Sequence, residues 1–308
     1  MNQDNVLSRL GSLSGMSVVP RTNEEFSYVG GSLHYGDHLL SENAIGDAAR
    51  WSSIPILFLK RCDDDMQTML LNHFFEKMSY SFPSIVLQNS NVVSFVGAGT
   101  ELLDISGVVG TVFNSVPSAD VDRVILDQNW INLYVSTPER QEAVVKGDVI
   151  NGGALLRFSP YAGKPEIMPY LLRLVCTNGL TKVETSTRFT ASYGRDLYEW
   201  IAEKLPIACE SVFDEVKIYR RMRGVRMNGN TSSFLSHAIG SLPNSVQQTI
   251  RDLVMDERPE TLYDMMNLIT YYASHEVEDP SMISMLMATG GEISAHYDIC
   301  PSCHRIMD

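Results

Sequence analysis

Val124-Ile-Leu126 and Ile131-Asn-Leu-Tyr-Val135 are two short runs of β-branched and aromatic residues, and their reading sets the fold class. Such runs fit a pleated, half-buried surface better than a helix. The pattern continues on both sides. Ile85-Val-Leu87, Val92-Val-Ser-Phe-Val96 and Val108-Val109 precede them, Ala154-Leu-Leu-Arg-Phe158 and Val183-Glu-Thr-Ser-Thr-Arg-Phe189 follow, and Gly, Asn, Ser and Pro divide them. The close spacing predicts an antiparallel sheet rather than βαβ units. Pro169-Tyr-Leu-Leu-Arg-Leu-Val-Cys-Thr-Asn-Gly-Leu180 adds a buried element that ends in a turn, because Asn178-Gly179 readily takes positive φ. The arginine inside that apolar run costs several kcal/mol to bury unless it is paired.

Helical periodicity lies outside this region. Ser41 can cap a helix lined by Ala44, Ile45, Ala48, Ala49 and Trp51, and Pro55 forbids its continuation. Met66 to Met78 repeats apolar residues near i, i+3, i+4, i+7 after Asp63-Asp-Asp65, an acidic start suited to a helix N-terminus. After Asp196, helices are predicted over Leu197 to Leu205, Val212 to Val225, Val246 to Met255 and Leu262 to His275. The order helices, strands, helices is that of an α+β protein, with a central mainly antiparallel sheet flanked by N-terminal and C-terminal helices. The expected organisation is an N-terminal arm over 1–38, a single α+β domain over 39–290 and a Cys/His tail over 291–308.

A hydrophobic share of 44% with 20% charged residues in 308 places the chain among folded proteins and excludes general disorder. No apolar run approaches the roughly 20 residues that span a bilayer, and no basic region precedes an apolar one at the N-terminus. Five widely spread cysteines do not make a disulfide framework, so a reducing compartment, the cytoplasm, is expected. The net charge of −13 repels a polyanion at long range, which leaves only a local basic patch to bind nucleic acid.

Such a patch exists. Lys217-Ile-Tyr-Arg-Arg-Met-Arg-Gly-Val-Arg226 carries five cations in ten positions. On a helix, Lys217, Arg220 and Arg221 share one side, Arg223 lies next to Arg220, Arg226 follows Gly224, and Tyr219 can stack on a base if it faces the same groove. The bland reading pairs these cations with Asp214, Glu215 and other carboxylates on a solvated helix. At the other extreme of the chain, Cys300-Pro-Ser-Cys303 with His304 or His296 has the spacing of half a tetrahedral zinc site, which a second subunit could complete; the competing reading is an exposed tail without a ligand. Phe95-Val-Gly-Ala-Gly-Thr-Glu101 lacks the third glycine of a dinucleotide fingerprint and reads as a glycine-rich hairpin or bulge. His275 reads as a C-terminal helix cap.

Arg173-Leu-Val-Cys-Thr-Asn-Gly-Leu180 together with Asn267-Leu-Ile-Thr-Tyr-Tyr-Ala-Ser-His275 resembles the phage/plasmid-related family called domain of unknown function 932, over about Leu39 to Glu278. Gly147-Asp-Val-Ile-Asn-Gly-Gly153 departs from the family's Asn-Ser-acidic-x-Gly turn. The resemblance implies a chain carried by mobile elements, with no assigned chemistry. It marks Arg173, Cys176, Thr177, Asn178, Asn267, Thr270 and His275 as matching positions, whose structural reading is a buried polar network pinning the sheet to the C-terminal helix. The functional expectation is a nucleic-acid-associated protein that binds or anneals single-stranded DNA without catalysis, as a homo-oligomer. The alternatives are an enzyme with Cys176 as thiolate and His275 as base, or a self-assembling structural phage component.

Overall fold

The computed structural model describes the chain except residues 22, 78–82, 128, 146–147, 162, 174–177, 182–187, 192–195, 228–234, 237, 241 and 296–308. At 140, 145, 171, 173, 178–181, 214–215 and 294–295 it describes the backbone alone. Internal packing divides the chain into two compact units, residues 7–105 with 159–163, and residues 1–6 with 106–158 and 164–308. This differs from the expected arm and single domain. The boundaries at 6/7 and 105/106 fall inside helices, so no linker composition marks them.

The unit of residues 7–105 contains the second half of α1 (Gln3–Leu10), then β1 (Met16–Pro20), β2 (Phe26–Val29), β3 (Ser32–Tyr35), β4 (His38–Leu39), α2 (Glu42–Trp51), α3 (Ile56–Leu59), α4 (Asp64–Glu76), β5 (Ser84–Gln88) and β6 (Asn91–Val96). The supposed arm is therefore structured, because Met16 to Pro20 pairs antiparallel with β5 from Gln88 to Ser84. It forms one edge of the β1-β5-β6 sheet, while β2-β3-β4 is a second three-stranded sheet. Gly30 and Gly31 join β2 to β3 at φ +60 and +81, the two-residue turn whose twist suits a hairpin. Ser41 caps α2, accepting a hydrogen bond from Ala44 N at 3.2 Å. Asp63 caps α4 by accepting from Met66 N at 2.8 Å, so that the acidic triplet is a helix start. Phe26, Tyr35, Phe75 and Phe95 interlock with ring centroids 5.0 to 6.1 Å apart, and each buried ring contributes about 1.5–3 kcal/mol. After β6 the glycine-rich segment forms a turn, with Thr100 N donating to Gly97 O at 3.2 Å and Gly99 at φ +79.

The larger unit follows with α5 (Ile105–Ser115), β7 (Asp120–Asp127), β8 (Trp130–Val145), β9 (Asp148–Phe158), β10 (Glu166–Arg173), β11 (Asn178–Thr181), β12 (Phe189–Thr190), α6 (Leu197–Ser211), a 3-10 turn (Val212–Asp214), α7 (Glu215–Met222), α8 (Asn244–Glu257), α9 (Leu262–His275) and α10 (Pro280–Ala295). Its sheet has the order β11-β10-β9-β8-β7 with β12 also on β10, and all pairs are antiparallel. The protein is thus α+β, as the strand spacing predicts.

Five local readings are corrected. Asn178-Gly179 does not end the buried element in a turn but opens β11, because both residues enter the ladder opposite Arg173 and Leu172 of β10. Val108-Val109 lies in α5, where Val108, Val109 and Val112 are buried on one helical face; two adjacent valines carry no period of their own. The helix expected to end near Leu205 continues through Pro206 to Ser211, since burying Ala208 and Cys209 outweighs one lost N–H. The helix expected over 212–225 breaks into the 3-10 turn and α7, and the chain turns at Gly224. The tail expected from 291 begins as helix, with Ile293 fully buried in α10.

One face of the sheet, through Tyr134, Leu155, Met168 and Tyr170, packs in the core that holds Val216, Tyr219, Met222, Met265, Ile269 and Leu286 from the helices. No helix among the described residues is long and apolar enough to cross a membrane.

Candidate nucleic-acid interface

Helix α7 is amphipathic, and its two sides separate cleanly. Val216, Tyr219 and Met222 are buried, whereas Lys217, Arg220 and Arg221 are exposed, as are Arg223 and Arg226 just beyond the helix. The apolar period fixes this arrangement: once Val216, Tyr219 and Met222 enter the core, the intervening cations must point outward. Arg220 and Arg221 also occupy the last turn, where the helix dipole favours positive charge.

The ridge is partly compensated. Arg220 donates to the Glu142 carboxylate at 3.0 Å and to the Ala143 carbonyl at 2.6 Å, which ties α7 to β8. At these exposures the ion pair itself contributes little, so its effect is to orient the side chain. Among the described residues, no ion pair is formed by Arg223 or Arg226. Backbone contacts hold the segment after the helix: Arg226 bridges Thr261, and Met227 N donates to Glu260 O at 2.8 Å.

Tyr219 does not share this surface, which corrects its assignment as a stacking platform. It is 1% exposed and its ring lies 6.0 Å from that of Tyr263, whose hydroxyl donates to Asp148 at 2.9 Å. A base cannot reach a ring in the core. Spacing alone could not place Tyr219, because residues 217, 219, 220 and 221 spread around more than half a helical turn.

The motif positions come together only in part. Arg173 and Asn178 are opposed in the β10–β11 register. Strand β11 packs against α9, the helix that carries Asn267, Thr270 and His275. The buried Thr270 hydroxyl donates within its own helix, to Met266 O and Asn267 O, both at 3.1 Å. His275 approaches Tyr271 O through Nδ1 at 3.1 Å and stacks on the Tyr271 ring at 4.3 Å, in keeping with a helix-end role. Cys176 and Thr177, and the zinc candidates His296, Cys300, Cys303 and His304, lie outside the described residues. Among the described residues, no group of three or more His, Cys, Asp or Glu is placed to hold a metal ion. Burial pushes the Cys209 thiol up to about 12, so it is not a nucleophile at neutral pH.

A second feature escaped the sequence reading. A cleft of about 320 Å³ lies between the sheet and α10, lined by Arg157, Glu166, Arg188, Asp127, Asn132 and Ser284 among polar groups and by Leu155, Met168, Met285 and Ala288. Arg157 within its apolar strand was the one available signal. Its partners are remote in sequence.

Compared with known proteins, the chain matches no family model, no curated protein and no solved structure.

Proposed function

We propose that this protein is a nucleic-acid-associated protein of phage or plasmid type that binds single-stranded DNA in the cytoplasm, as a homo-oligomer and without catalysing a reaction. One observation carries the reading: in a chain of net charge −13, the cations of 217–226 all face outward from one short segment. A polyanion approaching an acidic protein meets attraction only at such a place, and phosphates there release counterions. The resemblance of Arg173 to Leu180 and Asn267 to His275 to a mobile-element family supports the biological setting. The interface reads backbone charge rather than base sequence, because no aromatic side chain of the segment is exposed beside the cations.

The test is fluorescence anisotropy of a labelled single-stranded oligonucleotide across a salt series. If each of the five cations neutralises one phosphate, the slope of log K against log salt is about −3.5, at about 0.7 per contact. Replacing Lys217, Arg221 and Arg223 with Ala brings the slope to about −1.4. Absence of binding at low salt, or a slope that the triple replacement leaves unchanged, overturns the reading.

A further inference from the structure

The cleft between the sheet and α10 has the chemistry of a ligand site independent of the α7 ridge. Arg157 and Glu166 are direct cross-strand partners in the β9–β10 register, so their side chains leave the same face side by side. They are nevertheless not hydrogen-bonded to each other, the nearest approach being 3.8 Å. Each is held by something else. The Arg157 guanidinium lies over the Trp130 ring at 4.4 Å, and Arg188 grips the other carboxylate oxygen of Glu166. Among the described residues, Glu166 Oε2 is buried without a hydrogen-bond partner, and so is Ser284 Oγ on the opposite wall. Buried acceptors of this kind are rare in folded proteins and cost free energy until a donor arrives.

The wall charges decide what that donor is. Among the described residues of the wall, Arg157 and Arg188 balance Glu166 and Asp127, so the site favours no net charge on its occupant, and two guanidiniums beside Glu166 repel an ammonium. The occupant is therefore neutral. It must present a hydrogen-bond donor to Glu166 Oε2 and, adjacent to it, an acceptor to Arg157. A carbonyl beside an N–H, the edge of a lactam, meets both requirements, while Leu155, Met168, Met285 and Ala288 cover the apolar remainder. We propose that this cleft binds a small neutral heterocycle through its lactam edge, the edge found on uracil and guanine, with Glu166 as acceptor and Arg157 as donor.

Uridine and guanosine are the probes, titrated against the unaltered protein by ligand-observed NMR, with 3-methyluridine and 1-methylguanosine as partners that lack the N–H. At least one parent nucleoside is expected to bind, and its methylated partner to bind about tenfold or more weaker, the effect of a lost hydrogen bond to a charged group. Glu166→Gln and Ser284→Ala are expected to weaken the parent, whereas replacing Lys217, Arg221 and Arg223 with Ala leaves nucleoside binding unchanged. If neither parent binds, or if methylation is without effect, the proposal is wrong. The methylation comparison needs no variant to fold, and the DNA-binding reading stands or falls separately.

Discussion

Gly152 offers the sharpest test of how the large sheet is mounted on its helices. It lies in β9 directly beneath the segment that joins α6 to α7, and a Cβ built there would sit 2.6 Å from Phe213 Cζ, 2.7 Å from Cε2 and 3.0 Å from the Cys209 carbonyl oxygen. Ordinary contact begins near 3.4 Å, so the ring must withdraw by about 0.8 Å. It has little room to do so, because Phe213 packs on the main core and Cys209 is held within α6. Gly152→Ala should therefore cost about 1–3 kcal/mol through overpacking, despite the better strand propensity of alanine. Urea unfolding followed by far-UV circular dichroism measures this as a lowered midpoint at unchanged slope. A double-mutant cycle assigns the cause: with Phe213→Ala in the background, the cost of Gly152→Ala should nearly vanish, a coupling of about 1–2 kcal/mol. If Gly152→Ala shifts stability by less than about 0.5 kcal/mol, or if the cost persists without the ring, the close approach does not govern this joint.

Two further outcomes follow from individual side chains. Burial pushes the Asp122 carboxyl up to about 6, with the Ser136 hydrogen bond opposing and Asp120 adding to the shift. The folded state then holds its proton more tightly than the unfolded state, so this group's contribution is most favourable below about pH 4 and is lost as pH rises through 6. Asp122→Asn should flatten that decline in urea midpoints measured between pH 4 and 7; a decline as steep as in the parent protein would assign it to other groups. Tyr219→Leu removes the ring while keeping an apolar side chain in the core, and in the folded variant should leave single-strand affinity within about twofold by anisotropy, since a stacked base is worth about 1–3 kcal/mol and none can reach this ring. A tenfold loss in a folded variant would return Tyr219 to the interface.

Local patterns along the chain already specify the class and much of the element list. Runs such as Ile131 to Val135 and Ala154 to Phe158 have one stable arrangement when they recur at short spacing, and capping residues such as Ser41 and Asp63 act within a single turn of chain. The sequence also made the cations of 217–226 visible, because a charge cluster in an acidic chain is a local property. Tertiary structure decided which of these features meet water and which meet each other. Val108-Val109 became helical because α5 had a buried face to fill, and Tyr219 left the cationic surface because the core claimed its side of α7. The Arg157–Glu166 pair with Arg188 and Ser284 exists only once strands and α10 converge, since no sequence period links residues brought together by register and packing. Local periodicity encodes what a segment becomes; the hydrophobic burial that joins distant segments encodes where its polar groups end up.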